Sequence, residues 1–201
     1  VRVLALDTTG PRGSLAVASE EGPLAEARVT ASEGHSRWVL GAVEALLAGL
    51  RLRVEDLDAL AVTTGPGSFT GLRVGLGTVK GLALASGRPC VGASTLEVLA
   101  RSVSGGASTV VALLEASRGD VFYGVFDTDG LPLREPGAGP LAEALRGLPA
   151  GAAFVGEAAV QRREAILATV PGARFPPWEE FLAATLARAA LRRVAAGEAV
   201  A

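Results

Sequence analysis

The chain has no methionine, one cysteine and one histidine, and only 4 % of its residues are aromatic. Each shortage removes a class of chemistry. A lone Cys90 forms no intramolecular disulfide and no cysteine-based zinc site, which need at least two thiols; between Pro89 and Val91 it reads as a small buried hydrophobe. A lone His35 excludes two-histidine metal sites and with them the H-E-x-x-H hydrolases. With no orienting partner beside it at a predicted helix start, His35 reads as a structural or capping residue. Asparagine is missing too, and Lys80 is the one lysine among many arginines. A GC-rich genome and a hot habitat both produce that bias. No basic block occurs and the formal net charge is −2, so the footprint of a protein that grips nucleic acid unaided is lacking. Any RNA would be held through a partner. No run of eighteen apolar residues suggests a membrane span, and "VRVLALDTTG" reaches Asp7 too early for a signal-peptide core. A cytoplasmic protein is expected.

What is present describes an ordinary globular chain. At 201 residues, 49 % apolar and 20 % charged, it has material for one domain or two small ones. Residues 2–30 read as a three-strand meander, "VRVLALDTT", "SLAVAS" and "LAEARVT", with turns at "GPRG" and "EEGP". Residues 35–50 carry apolar side chains at helical spacing. "DALAVTTGPG" predicts a buried strand ending in a turn, "FTGLRVGLGTVKGLALASG" a second helix, and "PCVGA" and "TLEVLARSV" a short strand and a third helix.

"SGGAS" at 104–108 interrupts this pattern, and the beginning then recurs. "VLALDTTGPRGSLAVASEEGPL" (3–24) aligns with "VALLEASRGDVFYGVFDTDGLPL" (111–133), each with a carboxylate at the fifth position (Asp7, Glu115), an Arg-Gly turn, a second apolar strand and an acidic glycine turn. A duplicated meander followed by helices implies two similar lobes. The predicted division is 1–104 for the first lobe and 105–201 for a second, smaller one. Residues 134–150, rich in proline and glycine, read as loop with a short helix, followed by strand and helix in "AAFVGEAAVQRREAILATV". "PPWEEFLAATLARAALRRVAAGE" predicts a helix of about six turns that returns to the first lobe.

Three features are candidates for function. Asp7, followed by Thr8, Thr9 and Gly10, fits either a phosphate and metal site or a carboxylate capping its own turn. "GPGSFTG" joins a strand to a helix, where an anion can be held. However, neither G-x-G-x-x-G nor the P-loop pattern occurs, and Ser68 lies outside a G-x-S-x-G elbow. The helix after it holds glycines at about 1 kcal/mol each relative to alanine. Gly71, Gly75, Thr78 and Ala85 form a stripe with almost no side chain, with Gly77 and Gly81 alongside. An arc that wide suggests two contacts, one within the chain and one outside it.

"VLALDTT", "GHSRWVLGAVEALL", "LDALAVTTGPGSFTGLRVGLGTVKGLA" and "PCVGASTLEVLA", in this order, resemble the TsaB (YeaZ) family of bacterial proteins needed to make threonylcarbamoyladenosine at position 37 of tRNAs reading codons that begin with A. The likeness is close over the first half. "EASRGDVFYGVF" is similar to the family's second hairpin, with Glu115 where aspartate is expected. The resemblance implies an α/β fold of the two-lobed actin, sugar-kinase and Hsp70-like kind, a duplicated ribonuclease H-like unit with a reduced second lobe. It also implies a non-catalytic partner of the transferase TsaD, joined by the ATPase TsaE, touching tRNA only through the complex. No resident cofactor or metal is expected, and nucleotide only as a weak or shared site involving Asp7, Thr8 and Glu115. Trp38, Val39, Ala42, Leu46, Gly71, Gly75, Thr78 and Leu82, on the helices 35–50 and 70–86, are the expected partner face, which would also support a homodimer. On that expectation Gly75→Leu abolishes association without disturbing the fold. The alternative is a nucleotide-dependent phosphotransferase or ATPase of the same fold, using Asp7 and Glu115 around a metal.

Overall fold

The apolar runs pair into two sheets in the computed structural model, which describes residues 1–30, 34–103 and 107–200. The chain divides into two units, Val1–Thr95 with Phe181–Ala201, and Leu96–Glu180. The predicted division at 104/105 lies outside the described residues.

In the first unit β1 (Arg2–Asp7), β2 (Arg12–Ser19), β3 (Gly22–Thr30), β4 (Ala59–Thr63) and β5 (Cys90–Ala93) form a sheet in the order β3-β2-β1-β4-β5. β1 runs antiparallel to β2 and parallel to β4. Because side chains alternate along a strand, β1 can be buried on both faces, and from Val3 to Asp7 it is. Leu4 and Leu6 join Leu15, Val17, Leu60 and Val62 in a core closed by α1 (Val39–Gly49) through Val39, Val43 and Leu47, and by α2 (Phe69–Ser86) through Val79. α3 (Thr95–Arg101) follows β5. The other face, with the small residues Ala5, Ala16, Ala18 and Ala61, receives α7 (Ala183–Ala195), whose Ala183, Leu186, Ala187 and Ala190 are fully buried.

The second unit repeats the plan. β6 (Val110–Glu115), β7 (Val121–Phe126), β8 (Pro132–Gly139) and β9 (Ala153–Val155) are ordered β8-β7-β6-β9, with β6 antiparallel to β7 and parallel to β9. Beside β9, where the first sheet has β5, there is a single parallel bridge between Ala153 and Arg174. Phe154, Leu113, Val111 and Ile166 centre a core covered by α4 (Leu141–Leu145), α5 (Glu157–Gln161) and α6 (Arg163–Thr169).

Four local readings are corrected. Residues 134–139, read as loop, belong to the strand β8. β8 is the outermost strand, where a proline's missing N–H breaks no ladder, and its register against β7 is irregular. The C-terminal helix has 13 residues, not six turns; it starts at Ala183, whose amide donates to Ser14 Oγ at 3.0 Å, and is followed by Gly197 at φ 75°. The first helix is preceded by a separate 3-10 turn, His35–Arg37. Arg12 and Gly13 open β2, whereas Arg118 (φ 62°) and Gly119 (φ 86°) do form a turn.

Candidate functional site

β1 delivers Asp7 to its end at 2 % exposure, between the turn that follows and the end of the parallel strand β4. Three donors converge on its Oδ1: the Thr9 amide at 3.2 Å, the Thr9 hydroxyl at 2.7 Å and the Thr63 hydroxyl at 2.7 Å. Burial pushes the carboxyl above its ordinary value, while the bonds from Thr63 and Thr9 and the nearby His35 pull the other way. This is the local cap that the Asp-Thr-Thr-Gly sequence offered as one of its two readings, with Thr63 added from the neighbouring strand.

Thr8 is 1 % exposed and faces the second helix. Its hydroxyl donates to the Gly71 carbonyl at 2.7 Å, and the Ser68 amide donates to the Thr9 carbonyl at 2.7 Å. Ser68 also caps α2, accepting from the Gly71 amide at 3.2 Å. A Cβ at Gly71 would overlap the Thr8 carbonyl oxygen, and one at Gly75 the Thr8 hydroxyl. The stripe through Gly71 and Gly75 is therefore filled from within the unit. Gly75→Leu cannot leave the fold intact, because the leucine would occupy the place of Thr8. Gly77 and Gly81 have nothing within 4 Å of an added Cβ.

Of the eight residues expected to face a partner, Val39 is 1 % exposed and packs in the core, and Gly71 and Gly75 are buried against Thr8. Trp38, Ala42, Leu46, Thr78 and Leu82 are half-buried. The sequence reading passed over Leu40 (62 % exposed), Phe69 (73 %) and Leu84 (89 %). On α2, Arg73, Gly77, Lys80, Gly81 and Leu84 follow helical spacing along one outward stripe. The signal was there: once Gly71, Gly75 and Val79 are taken as the inward row, Leu84 lies on the opposite side.

Residues 29–193 match the family model described as TsaD: tRNA N6-adenosine threonylcarbamoyltransferase. The tRNA threonylcarbamoyladenosine biosynthesis protein TsaB of Escherichia coli is 34 % identical over 131 residues, 64 % of this chain and 56 % of that protein. A crystal structure of a Pseudomonas aeruginosa protein with similarity to peptidase YEAZ superposes with a TM-score of 0.86 at 27 % identity, covering 99 % of this chain and 94 % of that one. The chain belongs to the TsaB (YeaZ) family. It spans about half the length of the curated TsaB proteins it matches. Its fold is of the actin, sugar-kinase and Hsp70-like class, shared with an inorganic polyphosphate/ATP-glucomannokinase from Arthrobacter (TM-score 0.52, 13 % identity, covering 98 % of this chain and 99 % of the other).

In this TsaB-family chain the second carboxylate, Glu115, ends β6 in the other unit and is engaged by an arginine. Arg162 Nε and one terminal nitrogen donate to its two oxygens at 3.1 and 3.0 Å, a bidentate pair that leaves the Glu115 side chain 25 % exposed. Among the described residues no group of three or more His, Cys, Asp and Glu side chains could hold a metal ion, and no helix is long and apolar enough to cross a membrane. His35 lies against the β1–β2 turn, its Nε2 2.8 Å from the Gly10 carbonyl. Cys90 is half-buried on β5, where burial raises its thiol.

Proposed function

We propose that this chain is a non-catalytic subunit of the assembly that places a threonylcarbamoyl group on adenosine 37 of tRNAs reading codons that begin with A. It would work beside a TsaD-type transferase and a TsaE-type ATPase and meet tRNA only through them. The observation that carries this reading is the outward stripe of α2, where Gly77 and Gly81 are open and Leu84 is 89 % exposed beside a helix, α1, that exposes Leu40. A strip of missing side chains next to apolar ones lets a second backbone approach closely. The same stripe would hold two copies together when the transferase is absent. The engagement of Asp7 by its own turn and of Glu115 by Arg162 supports a non-catalytic role.

Leu84→Glu and Gly77→Leu test this face because both sites are open, so the circular dichroism of the free chain should not change. The expected outcome is loss of the complex with the transferase on light-scattering chromatography, and loss of threonylcarbamoyl transfer. Complex formation at wild-type strength by both variants would refute the face.

A second reading, a phosphotransferase or ATPase, is favoured by one observation: the three donors to Asp7 all bind Oδ1, leaving Oδ2 outside these bonds. Magnesium-dependent ATP hydrolysis by the chain alone, lost in Asp7→Asn, would establish it.

A further inference from the structure

The turn between β1 and β2 is gripped by both helices of the outward face. α2 and its lead-in hold it through Thr8 Oγ1 to the Gly71 carbonyl, through the Ser68 amide to the Thr9 carbonyl, and through Gly67, where a Cβ would overlap Thr9. The lead-in to α1 holds it through His35 Nε2 at the Gly10 carbonyl, and a Cβ at Gly13 would overlap the rings of Trp38 and His35. His35 also closes the gap between the two grips: a Cβ at Gly71 would stand 3.3 Å from its Cδ2, and its ring meets Trp38 edge-on with centroids 5.6 Å apart.

The grip is imperfect in a particular way. The Gly10 carbonyl can only accept, so Nε2 of His35 carries a proton; in the neutral ring Nδ1 is then an acceptor. That atom and the Trp38 Nε1 donor are both buried, and neither has a hydrogen-bond partner among the described residues. Unpaired buried polar atoms destabilise the arrangement that buries them, and sub-global opening is drawn from the less stable parts of a structure.

We propose that the segment 8–13, the β1–β2 turn with the first two residues of β2, and the start of α1 open and close together, with His35 as the positioning residue that couples them, and that a protein docked on the outward face of α1 and α2 favours the closed state. The docking half rests on the function proposed above. The coupling half does not, because it concerns contacts within one unit of the free chain.

Amide hydrogen exchange tests both. In the free chain His35→Ala should speed exchange roughly tenfold, a hydrogen bond's worth, in two segments at once, residues 8–13 and 38–43. His35→Gln, whose side-chain amide can donate to Gly10, should restore both. Acceleration confined to one segment, or none in either, overturns the coupling. In the complex with the transferase, exchange over 8–13 should slow in the wild type and not in His35→Ala. Equal slowing in both, or none in the wild type while the complex forms, overturns the docking half. Absence of any complex refutes the proposed function and the docking half together, and the free-chain comparison still decides the coupling.

Discussion

A carboxylate held at 2 % exposure by two threonines shows how much one residue's surroundings govern what it can do. Burial raises the Asp7 carboxyl, and the sign of the consequence follows. Between its ordinary value and its raised value the native chain keeps a proton that the unfolded chain has released, so stability falls as pH rises through that window. Asp7→Asn keeps an oxygen acceptor and removes the charge. It should therefore be more stable than the wild type at neutral pH, with the gain shrinking as the pH is lowered through the window, as urea midpoints at several pH values will show. A variant that is less stable at neutral pH would mean that the ionised carboxylate holds the turn more strongly than burial opposes it. The α2 glycines predict a contrast of sign. Gly77→Ala and Gly81→Ala meet open space and should each stabilise the free chain by about 1 kcal/mol through helix propensity. Gly71→Ala drives a methyl into the Thr8 carbonyl and should destabilise by about 1–3 kcal/mol or more. Thermal melts of the three variants compare them directly.

At the level of elements, α7 is joined to the first unit although it is distant in sequence. Its alanines admit close approach to the small residues of β1, β2 and β4, while Leu186, fully buried, supplies bulk. Leu186→Ala should cost about 2–5 kcal/mol, and Ser14→Ala, which leaves the Ala183 amide unpaired, about 1–3 kcal/mol. Chemical denaturation measures both, and a Ser14→Ala cost near zero would mean that water replaces the hydroxyl. β8, the outermost strand of the second sheet as β3 is of the first, tolerates Pro132 and Pro136 because its outer side carries no ladder.

For the whole molecule, each unit has its own sheet and core, and the outward stripe of α2 belongs to the first. If that stripe also joins two copies, Leu84→Glu should turn a dimer of the free chain into a monomer, and light scattering at increasing concentration will show it. Replacing the exposed apolar side chain by a carboxylate removes apolar area from the contact and adds a charge that association would have to desolvate.

The sequence by itself determined the strands of the first unit, the two main helices, the duplication and the family, because alternating and helical periodicities and glycine turns are local signals. It also placed Asp7 and Glu115 at matching strand ends. It missed β8, whose prolines and glycines read as loop. The sequence reading did not separate the inward from the outward glycines of α2, because Gly71, Gly75, Gly77 and Gly81 are equally small; Val79 on one side and Arg73 and Lys80 on the other mark the two faces but not what each glycine meets. Only the approach of Thr8, over sixty residues away in sequence, separates them. For the same reason the pairing of Thr63 with Asp7, of Arg162 with Glu115, and of Ser14 with the start of α7 were invisible beforehand: each joins segments far apart in sequence, and burial and hydrogen-bond geometry, which no periodicity encodes, select the partner.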